Sequence, residues 1–352
     1  MDVRLSPEQR ALREAAARLV DDLAPKTVAE LDDTARAAKL DTALAGSGWR
    51  ELRAPADGGR PLASAVETAI VAEELGRGAA DAAFLGPTLA ADLRRRAGAP
   101  DAAPGAAPET VLLRPDLSGL AVAEDGDTRC SGVAVDAQGA TSALALARAG
   151  DGDGYDLVAV PVAGGAPGRD LTRPIAALDA APLAPPPGAR RRLGPADIDA
   201  WSALALALTC ADLVGTMRGA VRLACSYAAV RQQYGVTIGA FQSVQHMLAD
   251  AFVSAEGSTS IALHAAWAAD TLPAAEALDA AAVAKAYCAR AARAVCETAV
   301  QVHGGIGNTW ECFAHVHLRR AFLSTQVLGD VGTNLERVVA HRGLGGVHDG
   351  LR

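Results

Sequence analysis

Between about residue 106 and residue 190 the chain changes character. The short apolar runs VLL (Val111–Leu113), ALALA (Ala143–Ala147) and LVAVPV (Leu157–Val162) alternate there with Gly/Asp turns, a spacing that suits the strands of a small sheet. On either side the apolar residues recur at helical intervals instead, as Leu12, Ala15, Ala16, Leu19 and Val20 do. A small sheet set between two helical blocks restricts the chain to the α+β class with β in the middle. The expected organisation is a helical region over 1–105, a reduced β region over 106–194, a helical bundle over 195–345 and a loose tail over 346–352.

Punctuation marks the elements. Ser6-Pro7-Glu8 supplies a capping serine, a proline at the first helical position and an acid in the first turn. Gly46-Ser47-Gly48 before Trp49, and Gly58-Gly59, mark turns, and a second helix is expected from Ser64 to Leu75, ending at Gly76. APLAPPPG (Ala181–Gly188) reads as a stiff linker. A long helix from near Ala200 ends around Arg231. Gly235 and Gly239 bracket a tight connection, and another helix opens near Phe241.

With 352 residues, half of them hydrophobic, two or three packed sub-domains with a sizeable core are expected. The net charge of −8 and the absence of any like-charge block argue against a nucleic-acid or membrane surface. No apolar run reads as long enough to span a membrane, and MDVRLSPEQR does not read as a signal peptide. Cys130, Cys210, Cys225, Cys288, Cys296 and Cys312 stand singly, which favours neither zinc nor a disulfide framework; a reducing cytoplasm is the expected setting. The three lysines (Lys26, Lys39 and Lys285) among abundant alanine and arginine read as codon bias. His315 and His317, two apart on a helix, make a poor metal pair, so no metal is expected. His246 and His264 read as packing residues, Trp310 and Phe313 as core or subunit contact. Arg319-Arg320 reads as solvated or paired with a neighbour's acids.

Two stretches carry chemistry. RQQYGVTIGAFQSVQHMLAD starts at Arg231, where an arginine at a helix end can contact a phosphate bidentately. Tyr234 beside Gly235 can lie on a planar ring, and Gln242 can hydrogen-bond an adenine or ribose. QVHGGIGNTWE, from Gln301, places three glycines within four residues, so that backbone can approach a ligand closely. Taken alone, each stretch could equally be an ordinary helical hairpin or helix break.

Together with GWRELRAPADGG (Gly48–Gly59) and EELGR (Glu73–Arg77), these stretches resemble the acyl-CoA dehydrogenase family. The resemblance is strong over the last 150 residues or so and weak in the middle. It implies a helical N-terminal domain, a central β domain, a C-terminal four-helix bundle, a tetramer, and FAD shared between two subunits. It also implies that Arg231, Tyr234, Phe241 and Gln242 grip the diphosphate and adenosine of one flavin. Gln301, Gly304 and Gly305 would reach the adenosine end from a neighbouring subunit.

The pattern breaks where the family does its chemistry. The glutamate that takes the C2 proton of an acyl thioester stands in many members directly before a Gly-Thr pair; before Gly332-Thr333 stands Val331, with Asp330 one step earlier. Other members place the base on the long helix, where the single acid is Asp212. The Asp-x-x-Arg thioester clamp falls on Ala203 and Leu206, and no tryptophan lies between Trp49 and Trp201 to flank a flavin ring. Three readings follow. The chain is the partner subunit of a heteromeric acyl-CoA dehydrogenase, paired with a paralogous catalytic chain. Or it is a self-sufficient flavoenzyme on an unusual thioester, a tetramer of itself with Asp330 or Asp212 as base. Or it is a flavin-free structural protein on this fold.

Overall fold

The computed structural model describes residues 4–100, 107–150, 154–163, 165, 168–184 and 188–344. The expected tail over 346–352 and residues 185–187 of APLAPPPG lie outside the described residues. Four helices come first: α1 (Pro7–Leu23), α2 (Thr34–Gly46), α3 (Ala65–Arg77) and α4 (Leu85–Arg96). Ser6 caps α1 as expected, and Ser64 caps α3; each forms a capping box, with Gln9 and Glu67 returning the bond.

Six strands follow: β1 (Glu109–Leu113), β2 (Val122–Ala123), β3 (Arg129–Ala134), β4 (Ser142–Arg148), β5 (Tyr155–Pro161) and β6 (Ala176–Pro182). The sheet is mixed. β1 and β2 share one edge of β4 in parallel, β5 closes its other edge antiparallel, and β3 joins β1 to β6. The expected linker is partly strand: Ala181 and Pro182 end β6, and Ala184 bridges Ala159.

The bundle consists of α5 (Pro195–Val230), α6 (Gln242–Thr271), α7 (Ala274–His303), α8 (Ala314–Gln326) and α9 (Val331–His341), with a two-strand ribbon, β7 (Gln232–Gln233) and β8 (Val236–Thr237), between the first two. At 36 residues α5 is long and apolar enough to cross a membrane, contrary to the sequence expectation. Its most apolar window is 89% buried by the other elements, which makes it the core helix of a bundle.

Gly76 does not end α3. It sits inside the helix where α3 crosses α5, and a Cβ there would strike the Asp212 carbonyl. Gly215 and Gly219 of α5 face the backbone of Glu73 and Arg77 in the same way. Three glycines thus let two helix backbones nearly touch. Gly215→Ala has to push the helices apart, and a loss of about 1–3 kcal/mol is expected from overpacking, read as a lower denaturant midpoint with an unchanged slope.

Buried ion pairs tie the first helices to the bundle. Asp92 is fully buried among Arg53 (3.4 Å), Arg95 (2.7 Å) and Arg96 (2.6 Å), and Arg53 reaches on to Asp270 at 2.9 Å. Trp201 Nε1 donates to the Leu89 carbonyl at 3.0 Å, locking α5 against α4. The GWRELRAPADGG and EELGR stretches therefore hold the frame: Arg50 donates to the Ala83 carbonyl at 2.8 Å, and Glu73 pairs with Arg13 at 3.5 Å and with Arg218.

Candidate functional site

The two chemistry-bearing stretches meet at one end of the bundle. Tyr227, in the last turn of α5, stacks on His303 at the end of α7, ring centroids 4.4 Å apart. His303 Nδ1 donates to the Ala299 carbonyl at 2.7 Å, which fixes the ring against the tyrosine. Arg231 is one turn beyond Tyr227, and Gly304 directly follows His303. About seventy residues of chain return to the same place.

Backbone geometry presents the side chains outward. Ile238 N–H donates to the Arg231 carbonyl at 2.8 Å, closing the ribbon hairpin with Tyr234 and Gly235 at its tip, both at positive φ. Tyr234 is 95% exposed and meets Phe241 edge-on at 6.3 Å. Arg231, Gln242 and Gln301 are exposed as well, and Arg231 forms no ion pair among the described residues. Gly304 has φ +66°, and neither it nor Gly305 has any atom within 4 Å of where a Cβ would stand. Only Gly307 is tight, its would-be Cβ falling 2.5 Å from the Val300 carbonyl. The result is an unpaired guanidinium, an uncovered aromatic ring, two amides and open backbone. Such a set has the chemistry to meet a diphosphate and a planar heterocycle approached from outside.

The interior is built differently. Beneath the loop that leads to Gly332-Thr333, Val327 and Leu328 pack against Leu85, Leu89, Val111, Leu113 and Leu323, enclosing about 10 Å³. The clamp positions Ala203 and Leu206 are fully buried core.

Polar residues in this interior are engaged with one another. Asp212 is 1% exposed and accepts from Arg320 Nη2 at 2.6 Å, Arg320 Nε at 3.0 Å and Ser324 Oγ at 2.7 Å, with Arg173 Nη1 at 3.4 Å. Arg173 also pairs with Asp170 at 3.2 Å and lies 3.9 Å from Asp136, whose other oxygen accepts from Gly86 N at 3.1 Å. Burial opposes ionisation of Asp212, but Arg173 and Arg320 outweigh it and hold the carboxyl below its ordinary range. A base for a C2 proton needs the opposite shift. Asp330 is no better placed: it caps α9, and the backbone N–H and hydroxyl of Thr333, at 2.8 and 2.9 Å, keep it ionised. Arg320, read from sequence as solvated or bound to a neighbour, is buried and belongs to Asp212 of its own chain.

Lys285, read from the sequence only as one of three lysines left by codon bias, has a structural role. Fully buried on α7, it donates from Nζ to the carbonyls of Thr325 (3.1 Å), Val327 (2.8 Å) and Gly329 (2.8 Å), and burial pulls its pKa down to about 8. With Asn334 and Arg337, which donate to the Gly329 and Leu328 carbonyls at 2.9 and 2.7 Å, it pins the loop over the filled interior. Its rarity in a chain with three lysines was the available signal.

One roomier cleft, about 740 Å³, opens between the residues before β6 and helices α7 and α8. Its lining includes Leu117, Arg169, Ile175, Arg293, Phe322 and Gln326. Among the described residues no group of three or more His, Cys, Asp or Glu side chains could hold a metal. Five of the six cysteines are buried as free thiols, Cys210 and Cys288 beside each other, while Cys225 is exposed.

Comparison with known proteins defines the class. Residues 6–100 match the acyl-CoA dehydrogenase N-terminal domain and residues 204–340 the C-terminal domain. The chain is 30% identical over 268 residues to the acyl-CoA dehydrogenase IpdE2 of Mycobacterium tuberculosis, covering 74% of this chain and 73% of that one. It is 41% identical over 137 residues to the acyl-CoA dehydrogenase FadE34 of the same organism, a match spanning 39% of this chain and 19% of that protein. Among solved structures, the Tcur3481-Tcur3483 steroid ACAD is 25% identical with a TM-score of 0.79, covering 96% of this chain and 98% of that one. PigA with FAD and proline shares the fold at 19% identity and a TM-score of 0.77, over 98% and 100% of the two chains. The chain belongs to the acyl-CoA dehydrogenase family.

Proposed function

We propose that this chain is the partner subunit of a heteromeric acyl-CoA dehydrogenase, completing an FAD site whose reacting half lies in a paralogous catalytic chain. One contrast carries the reading. The bundle end that can grip a dinucleotide is exposed and unpaired, whereas the interior that would house an acyl thioester is filled to about 10 Å³. The similar Tcur3481-Tcur3483 protein is named for two chains, and PigA is described with FAD, which supports both halves of the reading.

When bound, FAD supplies the hydride acceptor for α,β-dehydrogenation of the thioester. This chain's residues do the holding. Arg231 would pair with the diphosphate, where a charged fork is worth more than a neutral donor. Tyr234 and Phe241 offer ring faces and edges to the adenine, Gln242 and Gln301 offer amides, and Gly304 and Gly305 leave backbone bare for close approach. No group in the filled interior takes a proton in this scheme.

Arg231→Ala tests it in the assembled complex. Loss of a charge-assisted contact worth about 1.5–3 kcal/mol should weaken flavin binding roughly ten- to hundredfold. The variant complex is expected to elute at its normal size but carry little flavin. Unchanged flavin content would remove this helix end from the cofactor site.

The 740 Å³ cleft favours a second reading, in which the chain holds its own flavin ring between Arg169, Arg293 and Phe322. It requires a proton acceptor other than Asp212 or Asp330, and a chain that purifies yellow on its own.

A further inference from the structure

A polar cleft, about 280 Å³, lies along the last third of α5, where the C-terminal turn of α1, the end of α3 and the start of α8 converge on it; Ser226 at its edge directly precedes Tyr227 of the flavin end, and none of the flavin-site residues lines it. Its polar lining is Asp21, Lys26, Arg77, Arg222, Ser226 and His317. Arg77 is spoken for: it pairs with Asp21 at 2.8 Å and with Glu74 at 2.5 Å. Arg222 is 63% exposed and only 4.0 Å from the shared Asp21, and the Lys26 side chain is exposed with no ion pair among the described residues. Three cations, Lys26, Arg77 and Arg222, thus face one cleft against Asp21 and Glu74, an excess of one positive charge in a chain of net charge −8.

The inner wall is the second observation. His317 is 3% exposed, and its Nδ1 has no hydrogen-bond partner. Room for the ring is made by Gly219, since a Cβ there would stand 2.6 Å from His317 Cε1. An apolar ring would fill the same space without leaving a buried polar atom unsatisfied. Burial and the positive charge of Arg320 and Arg222 keep the imidazole neutral, with its pKa down to about 3. The ring meets Phe313 edge-on at 5.5 Å, but its Nδ1 makes no hydrogen bond within the chain.

We propose that this cleft binds a small phosphorylated anion, with Arg222 and Lys26 pairing with phosphate oxygens and Ser226 and His317 forming the polar wall. A phosphate anion suits the excess positive charge of the cleft and takes charge-assisted bonds from both side chains. The remaining volume accommodates a small organic group on a phosphomonoester.

Isothermal titration of the full chain at constant ionic strength tests this, with inorganic phosphate and glycerol phosphate as probes. Both should bind, and Arg222→Ala and Lys26→Ala should each weaken binding about tenfold. Both residues are exposed, so neither change threatens the fold. Tighter binding of glycerol phosphate identifies a phosphomonoester ligand, and equal binding identifies phosphate itself; either supports the site. No heat with either probe, or binding that survives both substitutions, overturns it. Arg231→Ala, which lies past Ser226 and outside the lining of the cleft, should leave phosphate binding unchanged even where it abolishes flavin binding, so this site and the flavin site fail or stand separately.

Discussion

Asp212→Ala is expected to cost about 3–5 kcal/mol of folding stability, because it strands the buried Arg320 without its counter-charge and takes from Arg173 one of its three neighbouring carboxylates. Arg320 and Arg173 are each 3% exposed, so both charges lie out of bulk water. The network joins α5, α8 and the Asp170–Arg173 segment ahead of β6, so its loss loosens the bundle from the β layer. Asp212→Asn keeps the shape and loses the charge, and should be nearly as damaging. Urea denaturation of both variants checks this. A stable, flavin-bound Asp212→Asn protein without turnover would instead restore Asp212 as a proton acceptor.

His317 sets the second large effect, on acid stability. Its pKa falls from 6.5 to about 3 in the folded chain, through burial and then the charge of Arg320 and Arg222. Below pH 6.5 the unfolded chain takes up a proton that the native chain refuses, so stability falls as pH drops from about 6.5 toward 3 and is fully present above that range. At about 1.4 kcal/mol per pH unit, the loss is about 2 kcal/mol at pH 5 and about 4 kcal/mol near pH 3. Other carboxylates titrate over the same interval, so the measurement is the difference between wild type and His317→Gln. Wild type should lose about 2 kcal/mol more than the variant between pH 7 and pH 5. Equal losses would place the proton elsewhere.

Much of the frame was legible in the sequence because it is set locally. Ser6 and Ser64 announce their helices through capping chemistry that acts over three residues; VLL and ALALA fall within β1 and β4, and all of LVAVPV but Val162 falls within β5. Misreadings came where distant chain segments decide the outcome. Gly76 looked like a helix end, but its role is to let α5 approach, which only the crossing with Gly215 and Gly219 reveals. Arg320 looked like a surface cation until Asp212, 108 positions away, was seen to face it. Lys285 reads as an ordinary lysine in an alanine-rich helix, and its partners are carbonyls forty and more residues further on, which carry no sequence signature. For the site, the residue types could be named in advance. Their meeting at one bundle end rests on the Tyr227–His303 stack, and the filling of the interior depends on side chains from four separate elements.

Flavin absorbance of the chain purified alone, set beside that of the chain co-expressed with a catalytic paralogue, tests the shared-site reading most directly. The expected result is a colourless chain that acquires flavin bands only in the complex, at a level that Arg231→Ala abolishes. A single chain that purifies yellow, with flavin unaffected by Arg231→Ala, would contradict it and make this protein a flavoenzyme in its own right.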